Sequence, residues 1–310
     1  MNQNSKILVT GGRGMVGSAL IRIMKSLGYD NILSPTSKEL DLVSQNSVFE
    51  YLKQNKPEFV FHVAGKVGGI YANMTYRADF LYENLMMAAN IIHGSHLINV
   101  NKILFVSSGC VYPDSAANPI KEESLLTGSL QSSHEHYAIA KIAGIKMCEA
   151  YFTQYNKDYA IVVPNNIYGP NDNYHPQNSH VMAALIAKFH NAKISKSESV
   201  EIWGSGKQKR EFIYVDDIAL ACLELMNNKN ARGIYNCGGG ENIAIKDLSD
   251  KISKILDYKG FLVFNTSKPE GHLEKYFDCS KLKSLGWSAK VGLDDGIKFA
   301  YQDYLRKISI

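Results

Sequence analysis

Cysteine is scarce in this sequence and is not arranged for cross-linking. Only five cysteines occur in 310 residues, and no two of them form a CxxC pair. This spacing excludes a cysteine-rich zinc site and the disulfide framework of a small secreted domain. We therefore expect free thiols, most of them packed as small hydrophobes. Cys110 is set apart because it directly follows a predicted strand; the others are Cys148, Cys222, Cys237 and Cys279.

Long apolar runs and charge of one sign are also lacking. No apolar stretch approaches the roughly 20 residues that a membrane-spanning helix needs, and the first residues, MNQNSKILVTGG, lack the pattern of a signal peptide. The net charge is only +4, without a basic run that would mark a nucleic-acid groove or a membrane patch. We therefore expect no nucleic acid partner, no membrane partner and a cytoplasmic location.

The first half of the chain alternates short apolar strands with segments of helical length. Together with 45% hydrophobic and 21% charged residues, this pattern is typical of an ordinary globular α/β protein. It predicts a Rossmann-type doubly wound parallel sheet with helices on both faces. Ser132 and Glu135 form the pattern of a capping box before the last of these helices. The predicted strands are 6–10, 31–34, 59–63, 102–107 and 159–163, and the predicted helices are 15–27, 44–55, 76–99 and 135–156.

The second half is less regular and predicts a smaller C-terminal α/β lobe. The segment PNNIYGPNDNYHPQNSH is dense in Pro, Asn and Gly and therefore predicts a long, functional loop. We expect residues 1–165 and about 211–237 to bind a dinucleotide, and residues 166–210 and 238–310 to bind substrate. The predicted elements here are helices 180–192, 216–226, 245–256 and 293–307, strands 200–203, 211–214 and 261–264, and a turn at 236–240.

A glycine-rich turn follows the first predicted strand and opens the first helix. In TGGRGMVGSAL the glycines permit a tight turn and close approach of a pyrophosphate, while the helix presents free N–H groups and the positive end of its dipole. Because the motif has the strand and helix that it requires, it predicts dinucleotide binding. The residues expected to hold the cofactor here are Gly11, Gly12, Arg13, Gly14, Met15, Val16 and Gly17.

The residues after the second strand favour NADPH over NADH. An enzyme that uses NAD usually places a carboxylate at the end of this strand. Asp30 precedes the strand instead, and SPTSKEL places hydroxyls and Lys38 rather than an acid at the strand's end. Arg13 stands in the glycine-rich turn, so Arg13 and Lys38 could bind a 2'-phosphate.

Tyr137 and Lys141 in HYAIAK form the clearest catalytic pattern. Residues four apart share one face of a helix, so the Lys141 ammonium is expected to favour the ionised Tyr137 phenol. Upstream, the strand end SSGCVY supplies Ser108 and Cys110. Tyr137 and Lys141 are sufficient for the one proton transfer that accompanies delivery of a hydride to a carbonyl. Cys110 and the distant His180 therefore suggest a second proton-transfer step.

The glycine turn, Ser108 four residues before Tyr112, and YxxxK together resemble the extended short-chain dehydrogenases. Several longer segments resemble the GDP-L-fucose synthase family in particular, and the likeness covers nearly the whole chain. These segments are AKVGGIYANMTYRADF from Ala64, NLMMAANIIH from Asn84, HYAIAKIAGIKMCEAY from His136, NNIYGPNDNYHPQNSHV from Asn165 and WGSGKQKREF from Trp203.

The resemblance implies a two-part reaction on a GDP-4-keto-6-deoxy sugar, in nucleotide-sugar biosynthesis for surface glycans. C3 and C5 are epimerised, with Cys110 as base and His180 as acid, and NADPH then reduces C4. Tyr137 protonates the C4 oxygen, Ser108 hydrogen-bonds it, and Lys141 lowers the pKa of Tyr137 and orients the cofactor ribose. The other residues implied are Pro164, Asn165, Asn166, Ile167 and His180 for the cofactor and Lys188, Trp203, Arg210 and Lys275 for the substrate.

Three departures from the family pattern leave alternatives open. The chain has SSGCVYP where GSSCIYP is common, Glu274 where a basic residue is usual, and Lys188 where arginine is usual. One alternative is a C4 reductase that acts only on an already epimerised GDP-4-keto-hexose or GDP-4-keto-heptose. The others are a nucleotide-sugar 4-epimerase that retains NAD, and a cofactor-binding regulator without catalysis. Helices 76–99 and 135–156 are long and carry apolar residues beyond the single stripe that would face the core. This pattern suits a two-fold helical interface, so a homodimer is expected.

Overall fold

The computed structural model describes residues 1–175, 179–268 and 273–309. Its strands are β1 (Ile7–Thr10), β2 (Ile32–Leu33), β3 (Phe59–His62), β4 (Lys102–Val106), β5 (Asp158–Pro164), β6 (Asn166–Tyr168), β7 (Ser199–Trp203), β8 (Lys209–Tyr214), β9 (Gly233–Cys237), β10 (Asn242–Ala244), β11 (Phe261–Asn265) and β12 (Glu274–Lys275).

The α-helices alternate with the strands through the first 230 residues and flank them afterwards. They are α1 (Met15–Ser26), α2 (Gln45–Asn55), α3 (Ile70–Thr75), α4 (Arg77–Leu97), α5 (Glu135–Tyr155), α6 (Val181–Ile194), α7 (Val215–Asn227), α8 (Ile245–Ile255), α9 (Ser280–Lys283) and α10 (Leu293–Ile308). In the described ranges, none of these helices is both long enough and apolar enough to span a membrane.

A parallel six-stranded sheet forms the larger part of the molecule, in the order β2-β1-β3-β4-β5-β9. Its strands are apolar on both faces, as a sheet covered by helices requires. Ile7 and Val9 point into one buried cluster, which includes Leu20 of α1 and Ile218 of α7. Leu8 points into the other, with residues of α2, α4 and α5. The predicted Rossmann-type α/β fold is therefore confirmed.

The C-terminal part builds two small sheets. β8 pairs with β10, β12 and β6, and β7 pairs with β11. β8 thus belongs to a small sheet, whereas β9 joins the large one. Residues from about 211 to 237, predicted to belong to the dinucleotide-binding part, include β9 and most of β8, which lie on different sheets. The domain boundaries remain a prediction.

Several local predictions were wrong, each for a physical reason. The predicted helix 76–99 is confirmed as α4, which begins one residue later at Arg77, but α3 was not predicted; Tyr76 separates the two helices because its backbone leaves the helical region. Residues 236–237 extend β9 rather than starting a turn, and Asn166–Tyr168 in the predicted long loop pairs with β8 as β6. The capping box is absent, because α5 starts at Glu135 with His134 as its N-cap and no side-chain capping bond.

Candidate active site

The glycine turn between β1 and α1 is shaped to let a ligand approach the backbone. Gly11 has φ +74°, and a Cβ there would lie 2.8 Å from the Ala64 backbone. A Cβ on Gly17 would lie 2.3 Å from the Gly11 carbonyl oxygen. Gly14 is the N-cap of α1 and, in the described chain, no side chain caps this helix. The first-turn N–H groups of α1 can therefore bind a pyrophosphate.

The end of β2 lies against the glycine turn, where the adenosine end of a dinucleotide is expected. A Cβ on Gly12 would lie 1.9 Å from Ser34 Oγ. Arg13 and Lys38 are both exposed. The expectation that this segment offers no acid was wrong, because Glu39 lies near enough to Arg13 for their charges to interact. Glu39 already accepts a hydrogen bond from Thr36 N at 2.7 Å, so the two basic residues fit a 2'-phosphate better than a ribose hydroxyl.

The strand end after β4 and the first turns of α5 bring four predicted residues together. Lys141 Nζ donates a hydrogen bond to the Val106 carbonyl oxygen at 3.0 Å and lies 5.8 Å from the centre of the Tyr137 ring. The Ser108 hydroxyl lies near enough to both Tyr137 and Cys110 to influence the pKa of each side chain. Two motifs that are more than 25 residues apart in the sequence therefore meet in one cluster. This cluster consists of Ser108, Cys110, Tyr137 and Lys141.

The expected effect of Lys141 on Tyr137 was wrong. Burial raises the pKa of the Tyr137 phenol, the nearby Cys110 adds to this rise, and the Ser108 hydroxyl opposes it without cancelling it. Burial also lowers the pKa of Lys141, to about 8. The ammonium is held by a main-chain carbonyl below the Tyr137 ring. Tyr137 thus keeps its proton at neutral pH and is prepared as a proton donor.

Cys110 is half-buried, whereas the four other cysteines are buried. Burial raises the pKa of the Cys110 thiol, and the nearby Ser108 hydroxyl and the charges of Lys275 and Lys141 oppose that rise. Cys110 lies in a 3-10 turn, Gly109–Val111, which follows directly after Ser108. The thiol is therefore accessible, with two cations near enough to stabilise its thiolate.

His180 belongs to a different element from this cluster. It is the N-cap residue of α6. The residue is exposed, but partial desolvation by neighbouring groups lowers the pKa of its imidazole. No hydrogen bond joins His180 to Cys110 among the described residues. The structure thus places the predicted base, Cys110, and the predicted acid, His180, on different elements.

The predicted nicotinamide segment, Pro164–Ile167, borders the catalytic turn. The Pro164 carbonyl oxygen would lie 3.4 Å from a Cβ on Gly109. Asn165 donates its side-chain amide to Glu211 Oε2 at 2.8 Å, and Asn166 donates its own to the Glu211 carbonyl oxygen at 2.9 Å. Ile167 lies at the centre of β6. The turn between β5 and β6 is thereby fixed to β8.

Glu211 is a buried carboxylate next to the candidate site that sequence reasoning missed. It is only 2% exposed, and it also accepts hydrogen bonds from Gly240 N at 2.8 Å and Phe277 N at 3.1 Å. In the sequence WGSGKQKREF, Glu211 directly follows Arg210, and this pattern is typical of a surface ion pair. The one available signal was its place at the start of a buried run in β8, EFIY.

The predicted substrate residues form two groups. Lys188 Nζ lies 5.2 Å from the Trp203 ring centre and donates to the Glu201 carbonyl oxygen at 3.1 Å. Lys268, which was not predicted, lies 5.6 Å from the same ring. Arg210 is paired in register with Lys275 between β8 and β12, and the charge of Lys275 reaches Cys110. The second group thus adjoins the catalytic cluster, whereas the first lies around an exposed indole.

Comparison with known proteins identifies relatives across the full length. The model of the NAD dependent epimerase/dehydratase family matches residues 7–238. A putative GDP-L-fucose synthase 2 of Arabidopsis thaliana is 46% identical over 99% of this chain and 94% of its own, and the GDP-L-fucose synthase of Escherichia coli (strain K12) is 43% identical over 97% and 96%. A solved GDP-mannoheptose C4 reductase of Campylobacter jejuni with NADP bound is 41% identical, with a TM-score of 0.90 over 98% of this chain and 99% of that one.

Proposed function

Because the chain belongs to the NAD dependent epimerase/dehydratase family, and within it to the GDP-L-fucose synthases, we propose that it is an NADPH-dependent nucleotide-sugar oxidoreductase. It reduces the C4 ketone of a GDP-4-keto-6-deoxy sugar after epimerising C3 and C5. The observation that carries this proposal is the convergence of Ser108, Cys110, Tyr137 and Lys141 on one turn. That cluster combines a proton donor for the ketone with an accessible thiol.

Reduction uses Tyr137 and Ser108 at the ketone oxygen. NADPH, when bound, supplies the hydride that attacks C4. The Tyr137 phenol keeps its proton at neutral pH and transfers it to the C4 oxygen as negative charge develops there. Ser108 donates a hydrogen bond to the same oxygen, and Lys141, whose Nζ lies 5.8 Å from the centre of the Tyr137 ring, is placed to orient the cofactor ribose.

Epimerisation uses Cys110 and His180 on opposite faces of the sugar. The C4 carbonyl acidifies the hydrogens at C3 and C5, so a thiolate can take each proton and leave an enolate. Protonated His180 then delivers a proton to the other face, which inverts the carbon. The Ser108 hydroxyl, which lies near both Cys110 and Tyr137, adjoins the groups proposed for epimerisation and for reduction.

Binding residues are assigned to the elements that surround this cluster. The glycine turn would hold the cofactor pyrophosphate, Arg13 and Lys38 its 2'-phosphate, Lys141 its ribose, and Pro164–Ile167 together with His180 its nicotinamide. Arg210 and Lys275 are assigned to the diphosphate and the sugar, because the charge of Lys275 acts on the thiol and Arg210 pairs in register with Lys275. Lys188 and Trp203 bind the remaining part of the GDP-sugar.

A second candidate is a C4 reductase that acts on an already epimerised GDP-4-keto-hexose or GDP-4-keto-heptose. The likeness to a GDP-mannoheptose C4 reductase favours it, as does Gly109 beside Cys110. In that enzyme Tyr137 and Lys141 act as described, and Cys110 transfers no proton.

One assay distinguishes the two candidates. The protein is mixed with GDP-4-keto-6-deoxymannose and NADPH in D2O, and NADPH oxidation and deuterium at C3 and C5 are measured. The proposed enzyme oxidises NADPH and places deuterium at both carbons. The reductase alone turns over only the pre-epimerised ketone and exchanges nothing. Absence of turnover with every GDP-4-keto sugar would contradict both.

We also propose a cytoplasmic homodimer. Five free cysteines suit a reducing compartment. α4 and α5 pack against each other and leave a neighbouring set of large apolar side chains exposed, namely Tyr82, Leu97, Ile139, Phe152 and Tyr155. A second copy that covers this face would bury them.

A further inference from the structure

Gly109, between Ser108 and Cys110, is enclosed by the rest of the molecule. A Cβ there would lie 2.7 Å from Phe277 Cζ, which is closer than real Cβ contacts come. Gly109 is buried, and Phe277 is 6% exposed and packs edge to face on Tyr112, with ring centres 5.5 Å apart. The Phe277 ring therefore fills the space that a side chain at position 109 would occupy.

Phe277 is held in this place from several directions. Its backbone N–H donates to Glu211. On either side of it, Ile120 N donates to the Tyr276 carbonyl oxygen and Asp278 N donates to the Ile120 carbonyl oxygen, both at 2.9 Å. These bonds fix residues 274–279 between β8 and the segment after β4. We call residues 274–279 the C-terminal strap.

The C-terminal strap also carries Lys275. Its backbone pairs with Arg210 on β8, and it stands two residues before Phe277, so in extended chain both side chains point the same way. Phe277 reaches Gly109, and the charge of Lys275 acts on the neighbouring Cys110. Of the two lysines whose charges stabilise the Cys110 thiolate, Lys275 contributes more than Lys141.

We propose that the C-terminal strap is the positioning device for Cys110: Phe277 occupies the space left by Gly109 and thereby holds Lys275 beside the thiol. Phe277 and Lys275 are thus positioning residues for the epimerising part of the reaction. This inference deepens the proposed function and rests on it for its catalytic meaning. The placement of Lys275 by Phe277 can be measured without any substrate.

The first test measures alkylation of Cys110 by iodoacetamide as a function of pH, followed by mass spectrometry. Cys110 is the accessible thiol among the five, so the reaction reports on it. Lys275→Met removes the cation, and we expect the midpoint of the pH profile to rise and the rate at pH 7.5 to fall about three- to tenfold. Lys275→Arg should keep the wild-type profile. An unchanged midpoint in Lys275→Met would overturn the proposal.

The second test measures the contact of Gly109 with Phe277 by the same reaction. Gly109→Ala should displace the ring and the C-terminal strap, and slow alkylation at least about threefold at pH 7.5. Adding Phe277→Leu to Gly109→Ala removes the ring atoms that clash, so it should restore the rate. Gly292→Ala is the matched control, because nothing lies within 4 Å of a Cβ there. A double variant no faster than Gly109→Ala, with native circular dichroism, would contradict the proposal.

A third measurement separates this proposal from the proposed function. With GDP-4-keto-6-deoxymannose in D2O, Lys275→Met should slow deuterium entry at C3 and C5, while Lys275→Arg restores it. If the wild-type protein exchanges no deuterium, the epimerase proposal fails, yet the alkylation profiles still decide whether Lys275 is held beside Cys110. If deuterium enters at the wild-type rate in Lys275→Met, the positioning role fails and the epimerase proposal stands.

Discussion

Lys141 and Tyr137 are 4% and 8% exposed, and burial acts on their proton affinities in opposite directions. It disfavours the charged form of each, so the pKa of the ammonium falls to about 8 while that of the phenol rises. Near neutral pH the phenol is protonated and the ammonium is still mostly charged. The pair is therefore prepared to give a proton to a ketone oxygen.

The pH dependence of reduction should follow Lys141. Because Lys141 loses its charge above about pH 8, we expect kcat/KM to be flat below that pH and to fall above it. Lys141→Arg keeps its charge, since the arginine pKa exceeds about 12, so the fall should move to higher pH. Lys146→Arg, on the exposed side of the same helix, is the control. A fall near pH 8 that persists in Lys141→Arg would assign it to another group.

Tyr137→Phe and Cys110→Ser should separate the two parts of the reaction. Without the phenol proton, C4 reduction should drop by at least about 100-fold, while deuterium exchange at C3 and C5 persists. Cys110→Ser should abolish exchange and still reduce an already epimerised ketone. Tyr155→Phe, on an exposed turn of α5, controls for loss of a hydroxyl. Loss of both activities in each folded variant would refute separate roles.

At the scale of elements, five of the six strands of the large sheet could be predicted because they are short apolar segments between helices of ordinary length, whereas the sixth, β9, was not predicted. β6, β10 and β12 could not, because two or three residues carry no period and form strands only by pairing with β8. The same limit applied to the site. Ser108, Tyr137 and Lys141 lie in motifs, whereas the donors that surround Glu211 come from three distant segments.

Glu211→Gln tests how far one carboxylate holds these elements together. Its two oxygens accept hydrogen bonds from Asn165, Gly240 and Phe277, and an amide offers only one acceptor. We expect the free energy of unfolding in urea to fall by about 2–3 kcal/mol and KM for NADPH to rise as Asn165 loses its partner. Glu198→Gln, on the exposed surface, should change neither. Wild-type stability in Glu211→Gln would rule out this role.

For the whole molecule, the exposed face of α4 and α5 predicts the oligomeric state. In solution the mass should be twice the 34.5 kDa of one chain. Tyr82→Glu with Ile139→Glu places two charges on this face and should halve the mass measured by light scattering, because buried unpaired carboxylates oppose association. Leu27→Glu, exposed at the end of α1, should leave the mass unchanged. A wild-type protein of single-chain mass would refute the dimer.

The C-terminal strap has a consequence for how such enzymes diverge. The residues proposed to reduce the ketone lie before position 142, whereas the contacts proposed to position the thiol come from residues 275 and 277. Mutations near the end of the chain can therefore weaken inversion without altering reduction. An ancestor with both activities could thus give rise to a descendant with reduction alone through changes outside the motifs that define the family, and family motifs would not reveal which of the two a given gene encodes.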